Sequence, residues 1–381
     1  MTLEIIFKWY LLLCFLMGSV LLFEYISGGG VENPSDFKFL ISEGFGMLSS
    51  LINDFSLLEY KIHTLIDERI IAQFSSTHYE QINSDQMSYT RISNTRQVPL
   101  ELQSLIPKFD YILFIAPEFS NVLHDLIENA ENLIEPHQTI LSLPSKAISI
   151  FSDKLTTESY LSSLGYNAPT SLIIDLENFS PPQPNSEYII KPIDGVGASE
   201  TYYLAIQKGD FDITSVISNL VEKSSNRRFL LQEKINGIPL SVFVSSQNGT
   251  ITYLTFNSQS IIYQPLPELD HVQQLTYLGG STPFLEISKN VKDSIQEVAS
   301  IICSQFQLTG FMGIDFLYNL QSNTFSIVDI NPRVTTPYVA ISQLFRENGF
   351  NLLDCLFKGQ FSQVIHGHKQ FKKDDYIIAL D

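Results

Sequence analysis

Cysteine is scarce in this chain. Among 381 residues there are three, Cys14, Cys303 and Cys355, far apart and with no CxxC pair. That excludes a disulfide framework and a thiolate zinc site, and it fits a reduced, cytoplasmic setting. Positive charge is also sparse: 23 Lys and Arg stand against 41 Asp and Glu, a net charge of -18. Such a chain is ill suited to nucleic acid or to an anionic membrane surface, although a few local lysines suffice to hold a nucleotide. Internal repeats and low-complexity tracts are missing. With hydrophobic residues at 44% and charged residues at 17%, disorder is excluded as well. An apolar run of about 20 residues, the length a spanning helix needs, is absent too. Trp9–Phe23, nearly apolar, stops at fifteen residues. It has one preceding base, Lys8, and no Ala-x-Ala-like cleavage site, so it makes a poor signal peptide.

Part of that run has a more economical reading. Ser19–Gly30, SVLLFEYISGGG, reads as the buried first strand of an α/β domain followed by a glycine turn, with Met17 as a candidate start. The alternative is a membrane-associated chain anchored by residues 9–23. One segment cannot both cross a bilayer and form a central strand. Downstream, strand and helix patterns alternate: Val20–Ile26, then FLISEGFGMLSS, then KIHTLID, then DYILFIAPE and the helix FSNVLHDLIENAENL. Alternation of this kind implies a parallel sheet with helices on both faces, which binds ligands at the carboxyl ends of its strands. Gly28–Gly30 and Ala116-Pro117-Glu118 stand at such ends. A second region opens near Lys146 with a helix in Ser152–Ser171, capped by a serine or aspartate at its start and ending at Gly165, with Pro169 beyond. It continues through the loop SPPQPNSE to the strands YIIKP, FLLQEKI and LSVFVSS. The length of the chain implies two or three domains.

Three features carry chemistry. Lys191 sits inside an apolar strand, where an unpaired ammonium is costly and a phosphate would supply its partner. The loop that follows, DGVGAS, has Gly195, Gly197, Ala198 and Ser199, small enough for backbone N–H groups to approach an anion. Lys154, at a helix start just before this unit, gains weight from that position. In LLQEKI, the stretch Gln232, Glu233, Lys234 and Ile235 could line an adenine slot, with strand backbone groups on the purine edge and Ile235 over the face of the base, or could be an ordinary amphipathic strand. The strongest feature is GIDFLYNLQSNTFSIVDINPR, Gly313–Arg333. A hairpin centred on Ser322 places Asp315 opposite Asp329, with Asn331 on the same face as Asp329. Like charges opposed across a sheet are destabilising, and a cation between them is the simplest remedy. Mg²⁺ takes such oxygens together with phosphates. Arg333 follows, with a planar fork suited to phosphate or carboxylate. Arg227-Arg228, Asn257–Ser260 and Thr335–Tyr338 are further substrate-side elements, each equally readable as loop. His366–His368 reads as a surface turn.

In order and spacing, SDKL, IIKPIDGVGAS and GIDFLYN…SIVDINPR resemble the ATP-grasp superfamily. The usual Glu-Ile-Asn-Pro-Arg ending is here Asp329-Ile-Asn-Pro-Arg, and Ile238-Pro239 stands where many members carry a ribose-binding acid. FEYISGGG, EGFGMLSSLINDF and FIAPE look like the subgroup that includes tyramine–L-glutamate ligase of methanofuran biosynthesis. The resemblance implies an α/β chain, α+β in its C-terminal half: a Rossmann-like pre-ATP-grasp domain at 17–145, an ATP-grasp small lobe at 146–245 and a large lobe with the metal site at 246–381. Residues 1–16 are then an N-terminal extension. It implies ATP and Mg²⁺ (or Mn²⁺), with Lys154 and Lys191 on phosphates and Asp315, Asp329 and Asn331 on the metal. Lys191 and Arg333 are the catalytic candidates, in ligation of a carboxylate such as glutamate to an amine such as tyramine through an acylphosphate. A homodimer is left open. The alternatives are a non-catalytic nucleotide-binding or scaffold protein of the same fold, or a ligase with other substrates.

Overall fold

A computed structural model describes residues 18–78, 84–175, 186–198, 200–206, 213–222, 228–267, 269, 271–359, 361–373 and 378–381. The proposed extension at 1–16, Met17, most of the SPPQPNSE loop, Ser199 and Arg227 lie outside these residues.

The first sheet is built from β1 (Ser19–Glu24), β2 (Lys61–Asp67), β3 (Met87–Ile92), β4 (Tyr111–Ile115) and β5 (Thr139–Ile140), in the order β3-β2-β1-β4-β5. All its pairings are parallel. β1 is central, and Val20, Leu21, Leu22 and Phe23 are each 0% exposed. A strand covered on both faces by helices must be apolar at every position, not at alternate ones. Burial of each such side chain contributes about 1.5–3 kcal/mol. This accounts for the apolar run from Ser19 onward. Among the described residues no helix is long and apolar enough to cross a membrane.

The second sheet has eleven strands. β6 (Ser171–Ile173), β7 (Glu187–Pro192), β8 (Tyr202–Ala205) and β9 (Phe229–Glu233) form one flank. β10 (Ile238–Gln247), β11 (Thr250–Pro265), β12 (Val272–Thr282), β13 (Gly310–Asn319) and β14 (Thr324–Asn331) form the other. The main path runs β14-β13-β10-β11-β12-β8-β7-β9-β6, and β15 (Lys369–Lys373) and β16 (Ile378–Leu380) extend from β12. β8 joins β12 antiparallel, so one continuous sheet bends across the two flanks. The lobe division expected at 245/246 falls inside β10, a strand paired along its length with β11 and β13. The turn signal Asn236-Gly237 lies just before this strand, between β9 and β10.

The helix Lys38–Leu57 ties the two sheets together. Asp54, 0% exposed, accepts hydrogen bonds from Tyr338 Oη (2.7 Å), Ser342 Oγ (2.6 Å) and Arg346 Nη1 (2.5 Å) of the helix Tyr338–Glu347. Burial raises the Asp54 pKa, against the opposing pull of Arg346 and the two hydroxyls. A buried carboxylate left without its cation is strongly destabilising. Arg346→Met is therefore expected to lower unfolding stability by about 3 kcal/mol, measured by urea denaturation, and a loss below about 0.5 kcal/mol would show that the pair does not brace the two sheets.

Candidate functional site

A cavity of about 460 Å³ lies between the two flanks of the large sheet. That is within the usual range for small-molecule sites. Its floor is the β13–β14 hairpin. The register pairs Asp315 with Asp329 and Gly313 with Asn331. Beyond this pair the register slips by one, and Phe316 faces Ile327. The slip is a bulge that leaves Val328 as the extra residue. It explains why Val328 and Asp329, adjacent in sequence, both line the cavity while Ile327 and Ile330 both enter the core.

The opposed acids have distinct partners. Asp329 Oδ2 accepts from Lys154 Nζ at 3.0 Å. Asp315 accepts from Gln259 Nε2 at 2.9 Å and from Asn331 Nδ2 at 2.9 Å. Burial, and next the charge of Asp329, push the Asp315 pKa up to about 7. Two carboxylates on one floor, one of them driven toward its neutral form, are the arrangement a divalent cation would relieve. Asp315, Asp329 and Asn331 therefore fit a hard oxygen-ligated ion.

Lys154 and Lys191 enter from the other flank. Asp153 caps the helix Lys154–Ser163 through Thr156 N–H, as the serine-or-aspartate expectation allowed, and this sets Lys154 in its first turn. Lys154 Nζ also donates to the Gly195 carbonyl at 3.0 Å, so one ammonium joins the glycine loop to the acid pair. Lys191 is 8% exposed and donates to Gln232 Oε1 at 3.2 Å. Burial, then the neighbouring Lys154, lower its pKa to about 8. Gln232 in turn donates to Ser171 Oγ (2.7 Å) and Glu158 Oε1 (3.2 Å). Its side chain thus anchors Lys191 at the cavity wall. In the loop, Gly197 has φ +61° and Ala198 φ +58°. For alanine this left-handed conformation is costly, and such strain persists where the surroundings fix it.

Lys234 and Ile235 line the cavity with Gly195, Gly197 and Ala198. The Glu233 side chain does not: it is exposed, because alternation along β9 turns it away from Gln232 and Lys234. Only its backbone can face a ligand, and the strand backbone is the part that the adenine-slot expectation uses. Arg333 lines the cavity and is held by Glu118, with Nε donating to Oε1 (2.9 Å) and Nη2 to Oε2 (3.3 Å). Arg228 lies away from the cavity, 63% exposed and 3.5 Å from Asp153. From the substrate-side elements, Gln259 reaches Asp315, while Thr335, Thr336 and Pro337 line the wall. His366 and His368 are exposed.

Sequence reasoning missed Glu43, Ser241 and Tyr277, which line the cavity, and Glu158 behind it. For Glu43 there was a signal, an acid among the apolar residues of FLISEGFGMLSS. For Ser241 and Tyr277 there was none, since β10 and β12 converge only in three dimensions. Next to the main cavity is one of about 40 Å³, at the carboxyl ends of β1 and β4 where the strand order reverses. The two share Glu43, Gly197 and Arg333. Beside it the Glu24 carboxylate accepts from the N–H groups of Ile26 (3.1 Å) and Ser27 (2.6 Å), which fixes the start of the glycine turn.

Raising the Asp315 pKa has a consequence for stability. The folded state holds that proton up to about pH 7 and the unfolded chain only to about 3.8. The contribution is thus present at low pH and is lost as pH rises through that window. In chelator, Asp315→Asn should become progressively more stable relative to wild type from about pH 4 to about pH 7, measured by thermal melts. A difference independent of pH would contradict the burial argument.

Residues 151–337 match the family described as ATP-grasp domain. Tyramine–L-glutamate ligase of Methanocaldococcus fervens is 26% identical over 322 residues, covering 83% of this chain and 87% of that protein. Among solved structures, an Archaeoglobus fulgidus protein described within the ATP-grasp superfamily aligns at TM-score 0.62 and 22% identity, covering 95% of this chain and 98% of that one. L-amino acid ligase from Bacillus licheniformis aligns at TM-score 0.60 and 12% identity, covering 93% and 80%. With its lysines, glycine loop and acidic hairpin gathered on one cavity, the chain carries an ATP-grasp domain over residues 151–337.

Proposed function

We propose that this chain is an ATP-dependent carboxylate–amine ligase. The observation that carries the reading is the convergence of Lys154, Lys191, Asp315 and Asp329 on one cavity. The likeness to tyramine–L-glutamate ligase supports glutamate as the carboxylate and tyramine, or a similar aromatic amine, as its partner.

In this reading ATP occupies the cavity with its base beside Ile235 and Lys234 and its phosphates under residues 195–198. Lys154 and Lys191 hold phosphate oxygens. Their ammonium groups, now spent on Asp329 and on a neutral amide, gain anionic partners in the complex. Asp315, Asp329 and the Asn331 side chain would hold Mg²⁺ or Mn²⁺, which supplies charge neutralisation at the phosphates. A substrate carboxylate oxygen attacks the γ-phosphorus in line as ADP departs, giving an acylphosphate. The amine nitrogen then attacks the acyl carbon, loses its proton, and phosphate leaves as the amide forms. Arg333, its plane fixed by Glu118, stabilises charge on the transferring phosphoryl group. Positioning supplies much of the rate, since phosphoryl transfer needs little covalent help from protein. The glycine loop, tethered by Lys154, excludes the water that would hydrolyse the intermediate.

Two measurements test this. ADP release with L-glutamate and tyramine is expected from the purified chain and should fall at least about 100-fold in Lys191→Ala and in Asp315→Asn. Normal turnover in either variant counts against the assignment, and no turnover with any amino acid and amine favours a binding or scaffold role. ATP with Mg²⁺ should raise the melting temperature more than ATP with a chelator, and equal shifts would remove the metal.

A further inference from the structure

Glu43 is the acid at the site that the proposed chemistry leaves without a task. It projects from the helix Lys38–Leu57, outside the 151–337 match, and is 9% exposed. With Gly197 and Arg333 it forms the partition between the main cavity and the smaller one. The other acids nearby are spent: Glu118 on the Arg333 fork, Glu24 on two backbone N–H groups. Glu43 Oε2 accepts from the Thr336 hydroxyl at 2.6 Å, and Oε1 accepts from Lys373 Nζ at 2.5 Å. The same Nζ lies 5.7 Å from the centre of the Tyr277 ring. Glu43, Thr336 and Tyr277 all line the main cavity, whereas Lys373 reaches Glu43 from β15 and is not part of the lining.

A primary ammonium is thus already seated here, against a carboxylate and within cation–π range of an aromatic ring. The chain supplies that ammonium itself, from the edge of the sheet. The lining presents the carboxylate to any second ammonium that arrives from the cavity. We propose that Glu43, flanked by Tyr277 and Thr336, binds a primary ammonium group of a substrate, and that Lys373 holds the same carboxylate until the substrate arrives. This rests on the ligase reading. The ammonium has two sources in such a reaction: the α-amino group of the carboxylate substrate, or the amine before it gives up its proton.

The test is binding, separate from turnover. Calorimetry on the full chain, saturated with a non-hydrolysable ATP analogue and Mg²⁺, compares L-glutamate with glutarate and tyramine with 4-ethylphenol. Each pair differs by one ammonium. Wild type is expected to prefer the ammonium-bearing member of at least one pair by about tenfold, the value of one charge-assisted hydrogen bond. Glu43→Gln should erase that preference. Loss in the glutamate pair assigns the α-amino group, and loss in the tyramine pair assigns the amine. Lys373→Met should strengthen the same preference by removing the competing cation, and it decides the matter if Glu43→Gln does not fold. No preference in wild type, a preference retained in Glu43→Gln, or one unchanged in Lys373→Met overturns the proposal. Trapping with hydroxylamine reports on the parent reading alone: a wild-type chain that forms no hydroxamate from ATP and glutamate loses the ligase assignment, while the binding comparison still stands or falls by itself.

Discussion

Asp315 and Asp329 face each other on neighbouring strands at the floor of the cavity, and much of the site answers that repulsion. Lys154 neutralises one acid, while two side-chain amides and a raised pKa accommodate the other. The elements supplying these groups are far apart in sequence: a helix start, a glycine loop, a strand from the middle of the sheet and the terminal hairpin. The acid pair therefore acts as a fastener between the flanks. On the proposed reading, a ligand that brings phosphates and a divalent cation would replace these provisional contacts with stronger ones, since the ammonium groups and carboxylates are in place before it arrives.

Lys191 illustrates the same economy. It is buried, its pKa is lowered to about 8, and its partner is a neutral amide held by Ser171 and Glu158. Such an arrangement keeps an ammonium positioned without giving it a counterion it would have to surrender. Arg333 differs: Glu118 holds it by two bonds, which fixes its plane and ties the large sheet to the end of β4.

The helix Lys38–Leu57 joins the parallel sheet to this machinery at two points. Toward its start Glu43 meets Thr336 and Lys373, and further along Asp54 meets Tyr338, Ser342 and Arg346. Both contacts bracket the segment that follows Arg333. This helix is thus more than a neighbour: it braces the wall of the cavity and lends an acid to it.

What the sequence determined by itself was local or periodic. The apolar run from Ser19 marks a strand buried on both faces, Asp153 marks a helix start, and two apolar strands around a polar turn mark the hairpin, but Asp315 meets Asp329 only because the bulge at Val328 shifts a register that pairs Asn319 with Thr324 at the turn. Short-range rules suffice for these because side-chain direction along a strand or helix depends on adjacent residues. The tertiary structure decided the rest. The bulge at Val328, the outward turn of Glu233, the continuity of β10 through the expected lobe boundary, and the approach of Glu43, Tyr277 and Lys373 to one another have no signal within a few residues. They depend on how a bent sheet of eleven strands packs against a second sheet, and only the burial of both apolar faces settles that geometry.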